Sequence, residues 1–366
     1  MKITAIDAWL VEVPLRGAFR NAHAVKSTLR SVVARVVTDA GVEGVGNVDP
    51  TPGYSEATPE EIVRVIRERL WPALRGEDAT RIRAAIGRMD RAAPGALEAQ
   101  AAVEMALVDL NGKALGVPAH RLLGGAVKEV IHLNGWIGIV DPEAAAAAAR
   151  GFWARGFRST KIKVGGGVEA DRDRVAAVRA AAPDMEIRVD ANEGYDVDTA
   201  VRLARAIAPY RIALLEQPVL RRDLAGLARV RRAVDIPVMA DEAVVGLDTV
   251  AAIIRLEAAD IIKVKVMKQG GMLRCLQAID MAAAAGIRCV IGHGFGLTVD
   301  TLSELHVAAT SENLLDACEC VGPTKLAGDV VKEPMGMETG SVPVPTAPGL
   351  GAALDDTALA RYRVDA

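Results

Sequence analysis

The chain has 366 residues and a mass of 38.5 kDa, room for two domains or for one large barrel with an appended module, and far more than a small stapled scaffold needs. Lys plus Arg (44) nearly balances Asp plus Glu (47), and there are only four each of Phe, Trp and Tyr. A broad phosphate-binding surface and a base-stacking platform are both excluded, so no nucleic acid partner is expected. Apolar stretches are broken by charge before the roughly 18 residues a spanning helix needs, so no membrane partner is expected either. The start, MKITAIDAWLVEVPLR, is interrupted by Asp7 and Glu12 and does not read as a signal peptide. Cys275, Cys289, Cys318 and Cys320 show no CxxC pairing and read as buried reduced thiols of a cytoplasmic protein.

In chain order, residues 3–13 form a strand closed by Pro14, and 30–37 leads through Asp39-Ala40-Gly41 into 42–47 as a hairpin would. Residues 15–29 show no periodicity and are expected as a long loop, with 48–57 as a second. Thr58-Pro59-Glu60-Glu61 supplies an N-cap, a first-turn proline and a box-closing Glu. Helices are expected over about 59–70, 79–90 and 95–115, the last stopping at Gly116 and Pro118.

From about residue 126 short apolar runs alternate with Ala/Arg-rich helical stretches, the mark of β-α units. Eight runs follow: VIHLNGW, STKIKVG, EIRVDAN, IALLEQP, PVMADEA, DIIKVKV, RCVIGHG and LLDACECVG. The polar residues near their ends are Asn134, Lys163, Asp190, Glu216, Asp241, Lys265, His293 and Glu319, at steps of 29, 27, 26, 25, 24, 28 and 26. One strand, one crossover helix and two short loops require about this period, and eight such units close a barrel. The tail, with PVPTAPGLGAALD, is expected to pack on the N-terminal module.

Catalytic groups of such barrels sit at the C-terminal strand ends, so those polar residues are also active-site candidates. Asp190, Glu216 and Asp241, on three consecutive strands, cannot share a mouth as bare anions. A divalent cation resolves the repulsion, and all-oxygen ligands favour Mg2+ or Mn2+ over Zn2+. Lys161 and Lys163 point to one barrel face, and Lys265 lies across the mouth, preferred over Lys263 because it is nearer the strand end. A lysine beside another cation and partly desolvated loses proton affinity, which suits Lys163 to act as a base. A base on each side of a bound carboxylate is the geometry for moving protons on either face of its α-carbon. Lys161 is expected to hydrogen-bond the substrate carboxylate.

The series TKIKV, VDAN, LLEQP, ADEA and KVKVMKQGG, with an N-terminal α+β module before it and PGLG in the tail, resembles the muconate lactonizing enzyme subgroup of the enolase superfamily. The resemblance implies an α/β fold, a modified TIM barrel (β/α)7β with an N-terminal α+β capping domain. It divides the chain into a capping domain over 1–125, a barrel over 126–325 and a C-terminal segment over 326–366 that completes the capping domain. It also implies an essential Mg2+, Lys163 and Lys265 as the acid/base pair, Asn192 and Glu242 around the metal ligands, and a homo-oligomer. Two departures stand out. IGHGFG puts His293 where substrate would sit, and CECVGP keeps Glu319, as cycloisomerases of the subgroup do, without the Asp-x-Asp by which dipeptide epimerases hold an ammonium group.

Phe19, Arg20, His23 and Tyr54 lie in segments expected to cover the mouth and, with His293 and Glu319, to contact substrate. The expected activity is Mg2+-dependent isomerisation of a small-molecule carboxylate through an enolate. It is either cycloisomerisation of a muconate-like diacid or racemisation/epimerisation of an N-acyl amino acid or dipeptide. Dehydration of a hydroxy acid uses the same machinery, and a non-catalytic carboxylate-binding barrel is the alternative from another class.

Overall fold

The computed structural model describes residues 1–20, 25–51 and 55–365, with side chains for all of these except 18–20, 25 and 26. Strands β1 (Ile3–Arg20), β2 (Val25–Thr38) and β3 (Glu43–Val48) pair antiparallel in sequence order. Residues 15–29, expected as a loop, are therefore largely strand. β1 runs on past Pro14, which keeps its carbonyl in use by accepting from Ala327 N at 2.8 Å, and the register shifts between the Pro14–Thr28 and Phe19–Lys26 pairs. Arg16, Gly17, Ser27 and Thr28 are exposed, so both faces are wetted at these positions and they carry no period-two pattern to read.

Thr58 and Glu61 form the expected capping box at Pro59–Val65, and the helix passes through a π turn at Ile66–Leu70. The helices Ile82–Ala92 and Leu97–Leu115 follow, the latter ending at Gly116 with φ +67°. Every residue from Ala99 to Gly112 is buried, because this helix is wedged between the N-terminal sheet and the barrel. A Cβ at Gly44 would collide with Ala106 O and one at Gly46 with Ala102 O, so these glycines let β3 lie directly on the helix backbone. Glu104 projects from the opposite side and accepts from Met272 N at 2.8 Å and Leu273 N at 2.9 Å, capping the barrel helix Met272–Ala284.

The run at 130–136 divides into β4 (Val130–His132) and β5 (Asn134–Ile137), and only β5 joins the parallel sheet. The sheet continues through β6 (Ser159–Lys163), β7 (Glu186–Asp190), β8 (Ile212–Glu216), β9 (Val238–Ala240), β10 (Ile261–Val264) and β11 (Arg288–Ile291), each beside its predecessor. The eighth run is not a regular strand. Residues 314–319 close the ring through single parallel bridges, Leu314 to Cys289 and Cys318 to Leu133. Ala317, at φ +62°, interrupts the extended backbone between them. Asn134 opens β5 instead of ending it and is in register with Ser159, four residues before Lys163. Among the described residues, no helix is long and apolar enough to cross a membrane.

The tail crosses back. Its β12 (Ser341–Pro343) pairs with β4, and β13 (Arg363–Val364) pairs with Leu10 and Val11 of β1. Asp109 ties three segments together: its carboxylate accepts from Val45 N at 2.9 Å and Leu350 N at 2.7 Å, and pairs with Lys113 Nζ at 2.6 Å. His306, on the fully buried helix Thr298–Ala308, accepts from His120 N at 3.2 Å through Nδ1 and so donates through Nε2 to Leu350 O at 3.3 Å. Burial and the nearby His120 hold its pKa down at about 4.

A histidine kept neutral in the fold but free to protonate when unfolded contributes stability that is present above about pH 6.5 and is lost as the pH falls toward 4. For one proton the slope is at most about 1.4 kcal/mol per pH unit. Thermal unfolding followed between pH 4 and 6.5 is expected to show a flatter pH dependence in His306→Gln than in the parent; equal slopes would assign the dependence to another group.

Candidate active site

Position along the strands decides which side chains meet. Lys163, Asp190 and Glu216 are lateral neighbours at the C-terminal ends of β6, β7 and β8, and Glu216 in turn pairs with Met239 on β9. Asp241 is two residues beyond Met239 and so shares its face. Lys265 follows the last residue of β10. The backbone is strained where these groups emerge: Asn192, Glu193 and Gln217, just beyond β7 and β8, have φ of +43°, +66° and +32°. Such non-glycine residues concentrate where surrounding contacts hold a functional geometry in place. Gln217 shows the purpose, since its side-chain carbonyl accepts from Asp241 N at 3.0 Å and Ala243 N at 3.2 Å and so orients the turn that carries Asp241.

The expected residues converge. Lys161 Nζ lies 3.0 Å from both Asp190 Oδ2 and Glu216 Oε2 and also pairs with Glu319. Lys163 Nζ donates to Asp190 Oδ2 at 2.6 Å and Asn192 Oδ1 at 2.7 Å. Lys265 Nζ lies 2.8 Å from Asp241 Oδ1. Asn192 also donates to Glu242 Oε1 at 2.9 Å, which links the turns after β7 and β9. One cavity is lined by Lys161, Lys163, Asp190, Asp241, Lys265, His293 and Glu319. His293 fixes its backbone by donating to Glu304 Oε2 at 3.0 Å. Tyr54 and His23 lie outside the described residues, as do the side chains of Phe19 and Arg20 at the end of β1.

Lys161 is enclosed by carboxylates, and Glu319 is gripped through Oε2 by both Lys161 and Lys263. Lys263, passed over in favour of Lys265, lies deeper in the barrel, 3.3 Å from Glu216 and 3.7 Å from Asp241. Its period-two relation to Lys265 is the signal that could have placed it. Lys268, one helical turn beyond Lys265, reaches Asp241 Oδ1 at 3.1 Å. Lys325, Trp136 and Phe295 also line the cavity; Trp136 ends the run VIHLNGW and Phe295 falls in IGHGFG, but neither was singled out.

Burial alone would neutralise every one of these groups. Instead Lys161 and Lys163 hold Asp190 ionised far below the usual carboxylate range against its own desolvation. Glu319 is lowered to about 2 by Lys161 and Lys263 in the same way. The three acids around Lys161 outweigh its burial and keep it an ammonium. Glu216 goes the other way, pushed well up by burial and by Asp190 beside it.

A buried carboxyl group that also has a carboxylate beside it is a place where additional positive charge is favoured. With Asp190, Glu216 and Asp241 buried, the all-oxygen donor set therefore fits a hard divalent cation. Glu242 Oε2, buried without a partner among the described residues, adds negative potential nearby. No tight cluster of three His, Cys, Asp or Glu is preformed among the described residues; lysine ammoniums stand between the acids.

A barrel with a row of acids and opposed lysines at its strand ends, beside an N-terminal sheet joined by the tail's β13, is the arrangement of an α/β barrel enzyme. Residues 4–124 match the mandelate racemase/muconate lactonizing enzyme N-terminal domain, and residues 143–358 match the enolase C-terminal domain-like family. The chain belongs to the muconate lactonizing enzyme subgroup of the enolase superfamily. It is 31% identical to the N-succinyl-L-Arg/Lys racemase of Bacillus cereus across 100% of this chain and 98% of the relative. The solved structure of that racemase superposes with a TM-score of 0.96 at 30% identity, covering 100% and 99% of the two chains. Muconate cycloisomerase 1 of Pseudomonas putida is 32% identical over 98% of each chain. A dipeptide epimerase from Enterococcus faecalis, solved with Mg and the dipeptide L-Leu-L-Tyr, superposes with a TM-score of 0.92 at 30% identity, covering 96% of this chain and 100% of that one. Such relatives are isomerases, and enzymes of this subgroup use a divalent metal ion.

Replacing Glu319 by Gln leaves the ammoniums of Lys161 and Lys263 facing each other without their shared charge. Removing one partner of a buried ionic network costs about 3–5 kcal/mol. The midpoint of thermal unfolding of Glu319→Gln is expected to fall by about 4–6 °C; a shift under about 2 °C would show that Glu319 does not hold the pair.

Proposed function

We propose that the chain is an Mg2+-dependent isomerase that abstracts the α-proton of a carboxylate substrate, with Lys163 and Lys265 as its two acid/base groups. The observation that carries this reading is their placement. In a ring of eight staves beginning at β5, Lys163 stands on the second and Lys265 at the end of the sixth, directly across the mouth, and both line one cavity. A substrate held between them presents its two faces to two different lysines. One takes a proton as a neutral amine and the other returns one as an ammonium, which inverts the carbon. Lys161, kept charged by its three acids, serves as a fixed positive charge beside the substrate carboxylate.

Asp190, Glu216 and Asp241 would hold the Mg2+, with Asn192 and Glu242 fixing the turns that carry them. When bound, the ion supplies Lewis-acid stabilisation of the negative charge that develops on the carboxylate as the proton leaves. The paired lysines support racemisation or epimerisation of an N-acyl amino acid; a muconate-like lactonisation draws on the same enolate but needs a lysine on one face only. The four buried thiols are consistent with a reducing compartment, and a cytoplasmic location is proposed on that ground.

In deuterated buffer with Mg2+, the parent protein is expected to wash deuterium into the α-position of both enantiomers of an N-acyl amino acid. Lys163→Ala retains exchange with one enantiomer only and loses racemisation by about 10³-fold or more. Undiminished exchange from both enantiomers would overturn the two-base assignment. Chelation is expected to abolish turnover and added Mg2+ to restore it; full activity in the chelated protein would rule out the assigned ligands.

A further inference from the structure

The ring of staves also says where the rest of a substrate must go. Asp190, Glu216 and Asp241 occupy the third to fifth staves, and the two lysines face each other from the second and sixth. A molecule whose carboxylate lies toward the fourth stave and whose α-carbon lies between the lysines extends toward the eighth, where residues 314–319 close the barrel. Lys325 stands there, at the end of the short helix Gly322–Lys325 that follows this segment. Its ammonium lies 4.7 Å from the ring centre of Trp136 and 4.3 Å from that of Phe295, and it donates to Gly294 O. Both rings and the ammonium line the cavity. Aromatic faces on two sides position a cation while presenting apolar walls to whatever chain approaches it.

The charge of the site points the same way. Among the described lining residues five are lysines and three are carboxylates, and Glu216 lies against Lys161 and Lys263. Five positive groups thus face four negative ones, and a divalent ion would widen the excess. Val321, two residues past Glu319, is apolar, and Glu319 Oε2 is shared by two lysines, with Oε1 unpartnered among the described residues. The eighth stave therefore offers a distal group a cation in aromatic walls.

We infer that Lys325 is a specificity-determining residue that binds a second, remote anionic group, so that the site selects dicarboxylates, including N-acyl amino acids whose acyl chain ends in a carboxylate, over monoanions. This rests on the proposed α-proton chemistry for the orientation of the substrate. Desolvation and the nearby Lys163 and Lys161 press the Lys325 proton off, and an anion seated beside it reverses that pressure.

The test compares N-succinyl and N-butyryl derivatives of one amino acid, which differ only in a terminal carboxylate against a methyl group. Binding is read by calorimetry with Mg2+ present, and α-proton exchange is read in deuterated buffer. The parent protein is expected to prefer the succinyl compound by at least about tenfold in both readouts, as one charge-assisted hydrogen bond provides. In Lys325→Met the ratio between the two compounds falls to near one, and in Lys325→Arg a preference remains. Because each ratio is taken within one protein, a general loss of fold or activity does not imitate the effect. No measurable binding of the succinyl compound, a ratio near one in the parent, or an unchanged ratio in Lys325→Met overturns the inference. A ratio in binding that collapses in Lys325→Met, with no exchange in any protein, keeps the anion site and overturns the proton-transfer reading; exchange with an unchanged ratio does the reverse.

Discussion

Asp190, Glu216, Asp241 and Glu319 are each at most 3% exposed, and ionised carboxylates so close together in a dry interior repel one another strongly. The ring tolerates them because lysines from its own walls are threaded between them. Lys161 and Lys263 reach in from β6 and β10 and share Glu216 and Glu319, binding opposite sides of the barrel through charge where regular strand pairing fails. Below this layer Leu214, Met239, Ile261 and Val290 are in contact, and the buried Arg188 of β7 donates to Asp316 O and Ala317 O on the closing segment. The charged layer is thus part of the barrel's closure as well as its chemistry.

The capping module is held to the same requirement that no buried polar group go unmet. The helix Leu97–Leu115 has no solvent face, so its few acids must find backbone donors on neighbouring elements. Glu104 meets the first turn of a barrel helix, and Asp109 meets both β3 and the C-terminal tail. These two carboxylates turn an apolar wedge into a directional joint between sheet, tail and barrel. Thr51, just beyond β3, then reaches the cavity wall as a result of where the joint sets the sheet.

The parts of the site that were legible in the chain were those with a period. Lys161 and Lys163 two apart, and acids recurring every 25 or 26 residues, follow from strand alternation and unit length, and the structure brings these residues together. The regularity misled where it was assumed to extend. Asn134 fits the spacing yet opens its strand, and CECVG fits yet forms isolated bridges. Residues 15–20 and 25–29 failed in the opposite sense, because strands exposed at adjacent positions such as Arg16 and Gly17 or Ser27 and Thr28 show no alternation.

The sequence by itself determined the class of fold, the row of acids and the opposed lysines, because strand period and unit length place a residue on a face and at an end without reference to its neighbours. Only the tertiary structure decided how the charges are shared: that Glu319 belongs to Lys161 and Lys263, that Lys268 backs Asp241, and that Lys325 lies between Trp136 and Phe295. These partners are separated by up to about 190 residues in the chain. No local pattern encodes their meeting, since it depends on closure of the ring, and pairing energies in a desolvated mouth are set by distances that exist only once the ring is closed.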